Sequence, residues 1–372
     1  MSGKSPGPEP LAEHLRRRIA HTGTIGFDEF MAAALYGPGG YYATGAPRTG
    51  KRGDFFTSVS VGPVFGRLLA AQFAEMWDAL GRPDDFTLVE QGAADGQLMA
   101  DVLAAWPSAP PRAIIVEPLP SLRDLQQQTL APWSERLTHV AHEDDLPPFT
   151  GVFFANELLD AFPVKLLARE GGAWRERRVG LEGEKFVFVE MPAPDPVLPV
   201  PPGCGRFAAE VRPSLDPWMR AVAEKLRRGW MLLVDYGYPE SARYHPARAA
   251  GTLAAYRDHA RQDDPLASPG AQDLTAHVDF TAVAWAAENA GLRLAGFADQ
   301  HHALAALAAL AFPPMASAPL GPEAAKDMLA LRQLLHPETM GTQFKFLALA
   351  KNAAAPLAAF RFARDARQEL FS

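Results

Sequence analysis

Residues 86–96 read FTLVEQGAADG, and this stretch decides the fold. The apolar run Phe86–Val89 predicts a short buried strand, and the glycines after it predict a tight loop that opens onto a helix over Leu98–Trp106. A strand, a glycine loop and a helix in this order begin a doubly wound α/β sheet, in which ligands bind beyond the carboxyl ends of the strands. We therefore expect a ligand at residues 90–96.

Strands alternate with helices on both sides of this unit, which predicts a Rossmann-like α/β fold with a mainly parallel, seven-stranded sheet. The last two strands are expected to form its antiparallel edge. The predicted strands after Phe86–Val89 are Ala113–Val116, Leu137–Ala141, Gly151–Ala155, Trp230–Val234, Leu292–Phe297 and Lys345–Leu349. The predicted helices are Val64–Leu80, Leu98–Trp106, Ser121–Leu130 with Ser121 as its N-cap, Pro217–Arg227, Thr281–Ala290, Ala303–Phe312 and Glu323–Leu335.

The alternation stops after the fourth strand, and this break divides the chain. Short apolar runs joined by glycine turns between residues 164 and 189 predict an inserted antiparallel hairpin lobe. Residues between Asp235 and Phe280 are expected to be irregular, and Leu11–Ile19 is expected to be a short surface helix. The expected domains are an N-terminal extension and lid at 1–60, a core at 61–164 and 229–352, the inserted lobe at 165–228 and a C-terminal tail at 353–372.

Composition limits the class of protein and its compartment. The chain has 36 Lys and Arg against 43 Asp and Glu, a formal net charge of −7, which argues against a general binder of nucleic acid or anionic membranes. Cys204 is the single cysteine, so the chain has no internal disulfide and suits a reducing compartment. The longest alanine-rich run, Ala303–Phe312, is too short to cross a bilayer. A cytoplasmic protein without membrane insertion is expected.

The loop at residues 90–96 excludes two common phosphate sites. A dinucleotide loop needs G-x-G-x-x-G, but Ala94 and Gln97 occupy two of the glycine positions. A P-loop is excluded because no Gly-Lys-Ser/Thr follows. The remaining pattern is Glu-x-Gly-x-Ala-x-Gly, and the acidic residue Glu117 closes the second strand 25 residues after Gly92.

S-adenosylmethionine suits this pattern, because it carries an amino acid end, a sulfonium and a ribose diol but no phosphate. Glycine lets the backbone approach the amino acid end, and the charge of Glu90 favours the cationic groups. The strand-end carboxylate of Glu117 can accept both ribose hydroxyls. A glycine turn that binds no cofactor stays open as the alternative for this loop alone.

Three further motifs lie outside this loop: residues 35–42 (LYGPGGYY), 53–58 (GDFFTS) and 156–163 (NELLDAFP). They closely resemble motifs of the MidA-type methyltransferase family, and the third is the most specific. Phe65-Gly66, Asp235–Gly237, Gly251–Leu253 and Asp273–Phe280 resemble further family blocks, and the resemblance runs from about Phe27 to Lys351. The family includes the mitochondrial complex I assembly factor that methylates a protein arginine. The resemblance therefore implies a class I methyltransferase fold, S-adenosylmethionine as cofactor and an arginine of a respiratory complex I subunit-like protein as acceptor.

The resemblance also implies the site residues. Methyl transfer depends on alignment of the acceptor, and carboxylates hold a guanidinium in place. The implied catalytic residues are Glu157, Asp160 and Asn156, and the implied cofactor-binding residues are Asp54, Thr57, Ser58, Glu90, Gly92, Ala94, Gly96, Leu98, Glu117, Pro118 and Asn156. The alternative for the Asn156–Asp160 block is the start of a helix, with Asn156 as N-cap.

Other polar residues receive weaker assignments. Asp235 and Tyr236 end the fifth strand and are expected to line the substrate side. His277 and Asp279 form a His-x-Asp pair with no third ligand at a telling spacing, so a structural turn is favoured and no metal is expected.

Four functions compete at this point. They are a methyltransferase for a protein arginine, a methyltransferase for a small molecule, an assembly or binding factor without catalysis, and a nicotinamide dehydrogenase, which the missing glycines disfavour. The binding factor is motivated by two departures from the family, Ala94 in place of a loop glycine and Val59-Ser60 in place of Pro-Glu. The oligomeric state stays open, with a homodimer among the options.

Overall fold

The structure is a computed structural model that describes residues 10–44, 58–194, 196, 198–199, 204–258, 260–312 and 322–371. The helices are α1 (Leu11–Thr22), α2 (Phe27–Tyr36), α3 (Val64–Ala79), α4 (Gln97–Ala104), α5 (Pro120–Thr129), α6 (Leu215–Lys225), α7 (Glu240–Arg243), α8 (Phe280–Asn289), α9 (Gln300–Ala311), α10 (Pro322–Leu335) and α11 (Ala366–Phe371). The strands are β1 (Phe86–Gln91), β2 (Arg112–Val116), β3 (Leu137–Val140), β4 (Phe149–Asn156), β5 (Lys165–Glu170), β6 (Ala173–Glu182), β7 (Lys185–Pro192), β8 (Arg206–Val211), β9 (Leu226–Tyr238), β10 (Ala254–Arg257), β11 (Ala260–Gln262), β12 (Asp273–Thr275), β13 (Val278–Asp279), β14 (Arg293–Asp299) and β15 (Phe344–Lys351).

The larger of two compact units contains the central sheet and comprises the described residues within 49–160, 215–241 and 278–372. Its strand order is β14-β15-β9-β4-β1-β2-β3, and the short β13 pairs with the end of β9. Every neighbouring pair in the run β9-β4-β1-β2-β3 is parallel, whereas β15 is antiparallel to both β9 and β14. The predicted mainly parallel α/β sheet with an antiparallel edge is therefore confirmed.

Burial on both faces explains why the central strands have apolar sequences. A parallel sheet covered by helices needs near-continuous apolar strands, and residues Phe86–Glu90 of β1 are all buried. Helix α3 covers one face through Phe73, whose ring lies 5.0 Å from that of Phe154 on β4. This core fixes the strands whose ends carry the candidate site.

The smaller unit comprises the described residues within 1–48, 161–214 and 242–277. It contains a four-stranded antiparallel sheet in the order β7-β6-β5-β8 and a three-stranded sheet in the order β11-β10-β12. Helix α2 packs on the first sheet through two ring contacts, Phe27 with Phe188 at 5.8 Å and Phe30 with Phe186 at 5.6 Å. The inserted antiparallel lobe is therefore larger than the hairpins that the sequence predicts.

Two predicted local features differ from the structure. Ser121 is not an N-cap, because α5 begins at Pro120, where proline suits the first helical position. The chain between β9 and α8 is irregular only in part, because α7 and the sheet formed by β10, β11 and β12 lie there. The predicted surface helix α1 is confirmed, since Leu11, Leu15 and Ile19 are buried on one face while Glu13 and Arg17 are exposed on the other.

The unit boundaries also differ from the domain boundaries drawn on the sequence. Residues 215–228, placed in the inserted lobe, belong to the larger unit, and residues 242–277, placed in the core, belong to the smaller one. The stretch 353–372, drawn as a tail, includes α11, where the backbone carbonyl of Leu370 accepts a 2.6 Å hydrogen bond from the Thr281 hydroxyl. Contacts between segments distant in sequence set these boundaries.

No helix in the described part of the chain has the length and apolar character that a membrane crossing needs. Within the same described ranges, no three His, Cys, Asp or Glu side chains are grouped so that they could hold a metal ion.

Candidate active site

Four parallel strands end at the same edge of the central sheet, and the predicted site residues follow their ends. The register pairs Glu90 of β1 with Ile115 of β2 and with Phe154 of β4, and it pairs Asn156 of β4 with Val234 of β9. The loops after β1, β2 and β4 and the end of β9 therefore lie side by side, as ligand sites do in sheets of this class.

The loop after β1 takes the left-handed backbone conformation at three positions. Gly92, Ala94 and Gly96 have φ angles of 78°, 47° and 84°. A Cβ atom on Gly92 would lie 3.1 Å from Cδ1 of Leu158, and one on Gly96 would lie 3.2 Å from Cδ1 of Leu130. Glycine at 92 and 96 therefore meets both the backbone angle and the space, whereas Ala94 adopts an angle that L-residues other than glycine disfavour.

Replacing Ala94 with glycine should raise the free energy of unfolding by about 0.5 to 1 kcal/mol. Relief of the left-handed conformation is worth roughly 1 to 2 kcal/mol, and the greater freedom of glycine in the unfolded chain offsets about half of this. Urea titration measures the change. Ala93→Gly is the matched control and should destabilise, because Ala93 is buried and has no positive φ. A lower stability for Ala94→Gly would contradict the argument.

Glu117 at the end of β2 is held in position by α5. Its side chain is 5% exposed, and Oε1 accepts a 3.0 Å hydrogen bond from the backbone N–H of Leu119. Gln126 donates from Nε2 both to Oε2 of Glu117, at 3.1 Å, and to the carbonyl of Ala94, at 3.0 Å. Burial raises the pKa of Glu117, and these donors favour its charged form.

Gln126 is therefore a residue of the candidate site that the sequence analysis missed. It joins the loop after β1 to the carboxylate after β2, and it is fully buried. The sequence does carry a signal for this role, because Gln126 lies on the same helical face as Leu122, the other buried residue of α5. A buried amide needs hydrogen-bond partners, which points to a polar neighbour at this position.

Glu90 is the most buried acid of the glycine loop. Its side chain is 2% exposed, and burial, together with the charge of Asp95, raises its pKa to about 8. Its Oε2 atom has no hydrogen-bond partner among the described residues. A hydrogen bond from the backbone of Met99 opposes this shift only in part. The buried acid is therefore largely protonated at neutral pH, and a cationic ligand beside it would favour its charged form.

The loop after β4 is not the start of a helix, so the N-cap alternative for Asn156 is wrong. Residue 156 ends the strand, and residues 157–162 form turns and bends instead. Glu157 has a φ of 55°, and its Oε1 accepts a 3.0 Å hydrogen bond from Nδ2 of Asn156. Asn156 Oδ1 is buried and has no hydrogen-bond partner among the described residues.

Asp160 and Tyr236 meet between this loop and the end of β9. The Tyr236 hydroxyl donates to Oδ2 of Asp160, which is 5% exposed. The position of Asp235 suggests a contact with the substrate. Its carboxylate instead accepts hydrogen bonds from the backbone of residues 158–160. Asn156, Glu157, Asp160 and Tyr236 are thus brought together at the edge that carries the glycine loop.

Comparison with known proteins identifies the family. Residues 68–298 match a family described as putative S-adenosyl-L-methionine-dependent methyltransferases. The chain belongs to this family. A Burkholderia thailandensis protein described as a likely methyl transferase, solved bound to S-adenosyl-homocysteine, is 32% identical with a TM-score of 0.83, over 97% of this chain and 98% of that one.

Curated relatives agree with this membership. The protein named arginine methyltransferase NDUFAF7 homolog, mitochondrial, from Drosophila melanogaster is 30% identical over 92% of this chain and 85% of its own. The human protein named arginine methyltransferase NDUFAF7, mitochondrial, is 27% identical over 99% of this chain and 89% of its own. The chain is therefore an S-adenosylmethionine-dependent methyltransferase, and the family resemblance seen in the sequence is confirmed.

The geometry of the methyltransferase fits this cofactor. The loop at 90–96 contains Glu90 and Asp95 but no Lys or Arg, which suits a cationic ligand without phosphate. The oxygens Glu90 Oε2 and Asn156 Oδ1, which have no hydrogen-bond partner among the described residues, can receive N–H donors. A Cβ atom on Gly92 or Gly96 would be in tight contact with a leucine methyl group, at 3.1 and 3.2 Å.

The remaining predicted residues fall in different places. Asp54 and Thr57 lie outside the described residues, so their assignment to the cofactor stays a prediction. Ser58 is buried, and its hydroxyl donates to Oε1 of Gln300 at 3.1 Å. Leu98 is buried in the core in the first turn of α4, whereas Pro118 is exposed.

The His-x-Asp pair has structural partners. Asp279 caps α8 by accepting a 3.0 Å hydrogen bond from the backbone N–H of Ala282. The backbone N–H of His277 donates to the Thr252 hydroxyl at 3.1 Å. Burial, followed by the charge of Arg243, lowers the pKa of the His277 side chain to about 4.

Proposed function

We propose that this methyltransferase transfers a methyl group to the side chain of an arginine in a partner protein. One observation carries the proposal: the loop with Glu157 and Asp160 packs against the glycine loop, since the Leu158 side chain would be 3.1 Å from a Cβ atom on Gly92. Two acidic side chains next to the glycine loop suit a methyl acceptor that is cationic. The names of the relatives, protein arginine methyltransferases, support the same acceptor.

The cofactor roles follow from the site geometry. We assign the ribose hydroxyls to Glu117, whose position the Leu119 N–H and Gln126 fix. The amino acid end and its positive charge are assigned to Glu90 and to the backbone at Gly92 and Gly96. When bound, S-adenosylmethionine supplies a methyl group on a sulfonium, and the residues of the chain need only align the acceptor with it.

The acceptor roles are assigned to the loop after β4. Glu157 and Asp160 hold the guanidinium, whose planar donors match carboxylates, and the Tyr236 hydroxyl fixes Asp160 through its hydrogen bond. For each methyl group gained, the acceptor nitrogen loses one proton, and we assign Glu157 as the group that takes it. Asn156 orients Glu157 through the 3.0 Å hydrogen bond between their side chains.

A protein from respiratory complex I is proposed as the acceptor, because the 156–163 block resembles that of the complex I assembly factor in the family. The cytoplasmic location expected from composition stays a prediction, although the relatives named above are mitochondrial proteins.

Transfer of labelled methyl groups tests the proposed acceptor. The purified protein is incubated with methyl-labelled S-adenosylmethionine and an extract of cells that lack it, and hydrolysed protein is separated for methylated amino acids. We expect the label in methylarginine of a small set of proteins. Label confined to small molecules would contradict a protein acceptor, and cofactor binding without any transfer would point to a binding factor.

A further inference from the structure

The loop after β4 carries Glu157 and Asp160, the two acids proposed to bind the methyl acceptor. Hydrogen bonds to the end of β9 hold this loop in place. Four consecutive backbone N–H groups, those of residues 157–160, donate to two neighbouring residues. Glu157 donates to the carbonyl of Val234 at 2.8 Å. The N–H groups of Leu158, Leu159 and Asp160 all donate to Oδ2 of Asp235, at 3.2, 2.8 and 3.3 Å.

Asp235 is well suited to this task. It is 1% exposed, and its second oxygen, Oδ1, accepts a 2.8 Å hydrogen bond from the backbone N–H of Tyr236. Hydrogen bonds to a charged acceptor are roughly twice as strong as neutral ones, and donors of this kind are what permit a carboxylate to be buried. The carboxylate therefore anchors a loop that neither a helix nor a strand stabilises.

The loop after β4 contacts the glycine loop on one side and Tyr236 on the other. On one side, Leu158 packs against Gly92 of the glycine loop. On the other side, Asp160 accepts the hydrogen bond of the Tyr236 hydroxyl. Since Glu157 has a φ of 55°, a conformation that costs energy outside glycine, the direction of its side chain depends on the bonds that hold the backbone on either side.

We propose that Asp235 is a positioning residue for methyl transfer, whose carboxylate sets the place of Glu157 and Asp160 relative to the glycine loop. This inference rests on the acceptor roles proposed above for those two acids. Asp235 touches neither the methyl group nor the acceptor in this scheme, and it acts through the backbone of residues 158–160. Misplacement of a reacting group by about 1 Å can cost roughly 100-fold in rate.

Asp235→Asn tests the proposal, because it keeps the size of the side chain and replaces one acceptor oxygen by a donor. We expect kcat to fall about 30-fold while the Kd for S-adenosylmethionine stays within about threefold. Glu75→Gln is the matched control, since Oε2 of Glu75 likewise accepts from a distant backbone N–H, that of Ala358 at 2.8 Å. The control should lose stability and keep the wild-type kcat.

A double-mutant cycle separates positioning from a general loss of structure. If Asp235 acts through the loop, the loss of kcat in Asp160→Asn combined with Asp235→Asn should be smaller than the product of the two single losses, because part of the effect of Asp235 passes through Asp160. Multiplied effects would overturn the proposal, as would an unchanged kcat for Asp235→Asn. Asp235→Glu, which keeps the charge, gives the same comparison if Asp235→Asn does not fold, with an intermediate kcat expected. Wild-type rates for both Glu157→Gln and Asp160→Asn would instead contradict the proposed function itself.

Discussion

Glu157→Gln should lower kcat for arginine methylation by about 1000-fold. The amide keeps the size of the side chain and its hydrogen bond with Asn156, but it loses the charge that attracts a guanidinium and the ability to take its proton. Loss of a proton-transferring group typically costs roughly 100- to 10,000-fold, and loss of charge pairing with the acceptor adds to this. The rate of label transfer to arginine under saturating cofactor measures the effect.

Cofactor binding provides the control for this variant. The Kd for S-adenosylmethionine should change by no more than about threefold, because Glu157 is assigned to the acceptor and Glu117 and Glu90 to the cofactor. Glu75→Gln, which removes a carboxylate bonded to Ala358, should keep the wild-type rate. A wild-type rate for Glu157→Gln would contradict its role, and a large loss of cofactor affinity would move it to the cofactor side.

Affinity for S-adenosylmethionine should rise about 50-fold between pH 6 and pH 8 and then level off. Burial and Asp95 raise the pKa of Glu90 to about 8 in the free protein, so the group is protonated over most of this range. A cationic ligand favours the carboxylate, and binding must then release the proton, which costs about tenfold in affinity for each pH unit below 8. Calorimetry in buffers of different ionisation enthalpy measures both the Kd and the proton released.

Two variants separate Glu90 from its neighbour in this measurement. Glu90→Gln cannot ionise, so it should bind the cofactor with an affinity that no longer depends on pH in this way. Glu117→Gln should weaken binding at every pH but keep the slope that Glu90 causes. Equal slopes for wild type and Glu90→Gln would show that the proton comes from another group.

The sign of the linkage is opposite for folding without cofactor. The folded pKa of Glu90, about 8, lies above its ordinary value of 4.5, so the folded state binds the proton more tightly. The stability that this proton contributes is complete below pH 4.5 and is lost as the pH rises toward 8. Cofactor binding therefore matters most for stability at the upper end of this range.

The sheet could be predicted from sequence wherever its strands are buried on both faces. Residues 86–89 and 151–155 form apolar runs bounded by turns, and the structure has the slightly longer strands β1 and β4 there. The sequence pattern predicts a β9 that is too short, because Leu226–Arg228 continue the pattern of the helix before them. Their assignment to a strand depends on pairing with residues 149 and 150 of β4, which are about 77 positions away.

Some residues of the candidate site could likewise be predicted from the local sequence, whereas others depend on contacts between distant segments. The residues at strand ends, Glu90, Glu117 and Asn156, could be predicted because fold class places ligands there. The contacts of Gln126 and Asp235 could not, since one links residues 32 positions apart and the other links residues 75 to 77 positions apart. A helix start at Asn156 is equally compatible with the local sequence, and only the bonds to β9 exclude it.

The place of β15 in the sheet constrains the synthesis of the protein. Strand β9 ends at Tyr238, and its partner on the side away from β4 is β15, which begins at Phe344. While the ribosome makes the intervening hundred or so residues, the edge of β9 that later pairs with β15 is open. An open apolar edge can pair with other chains. The central sheet is therefore completed only after β15 has been synthesised, and β9 keeps an open edge until then.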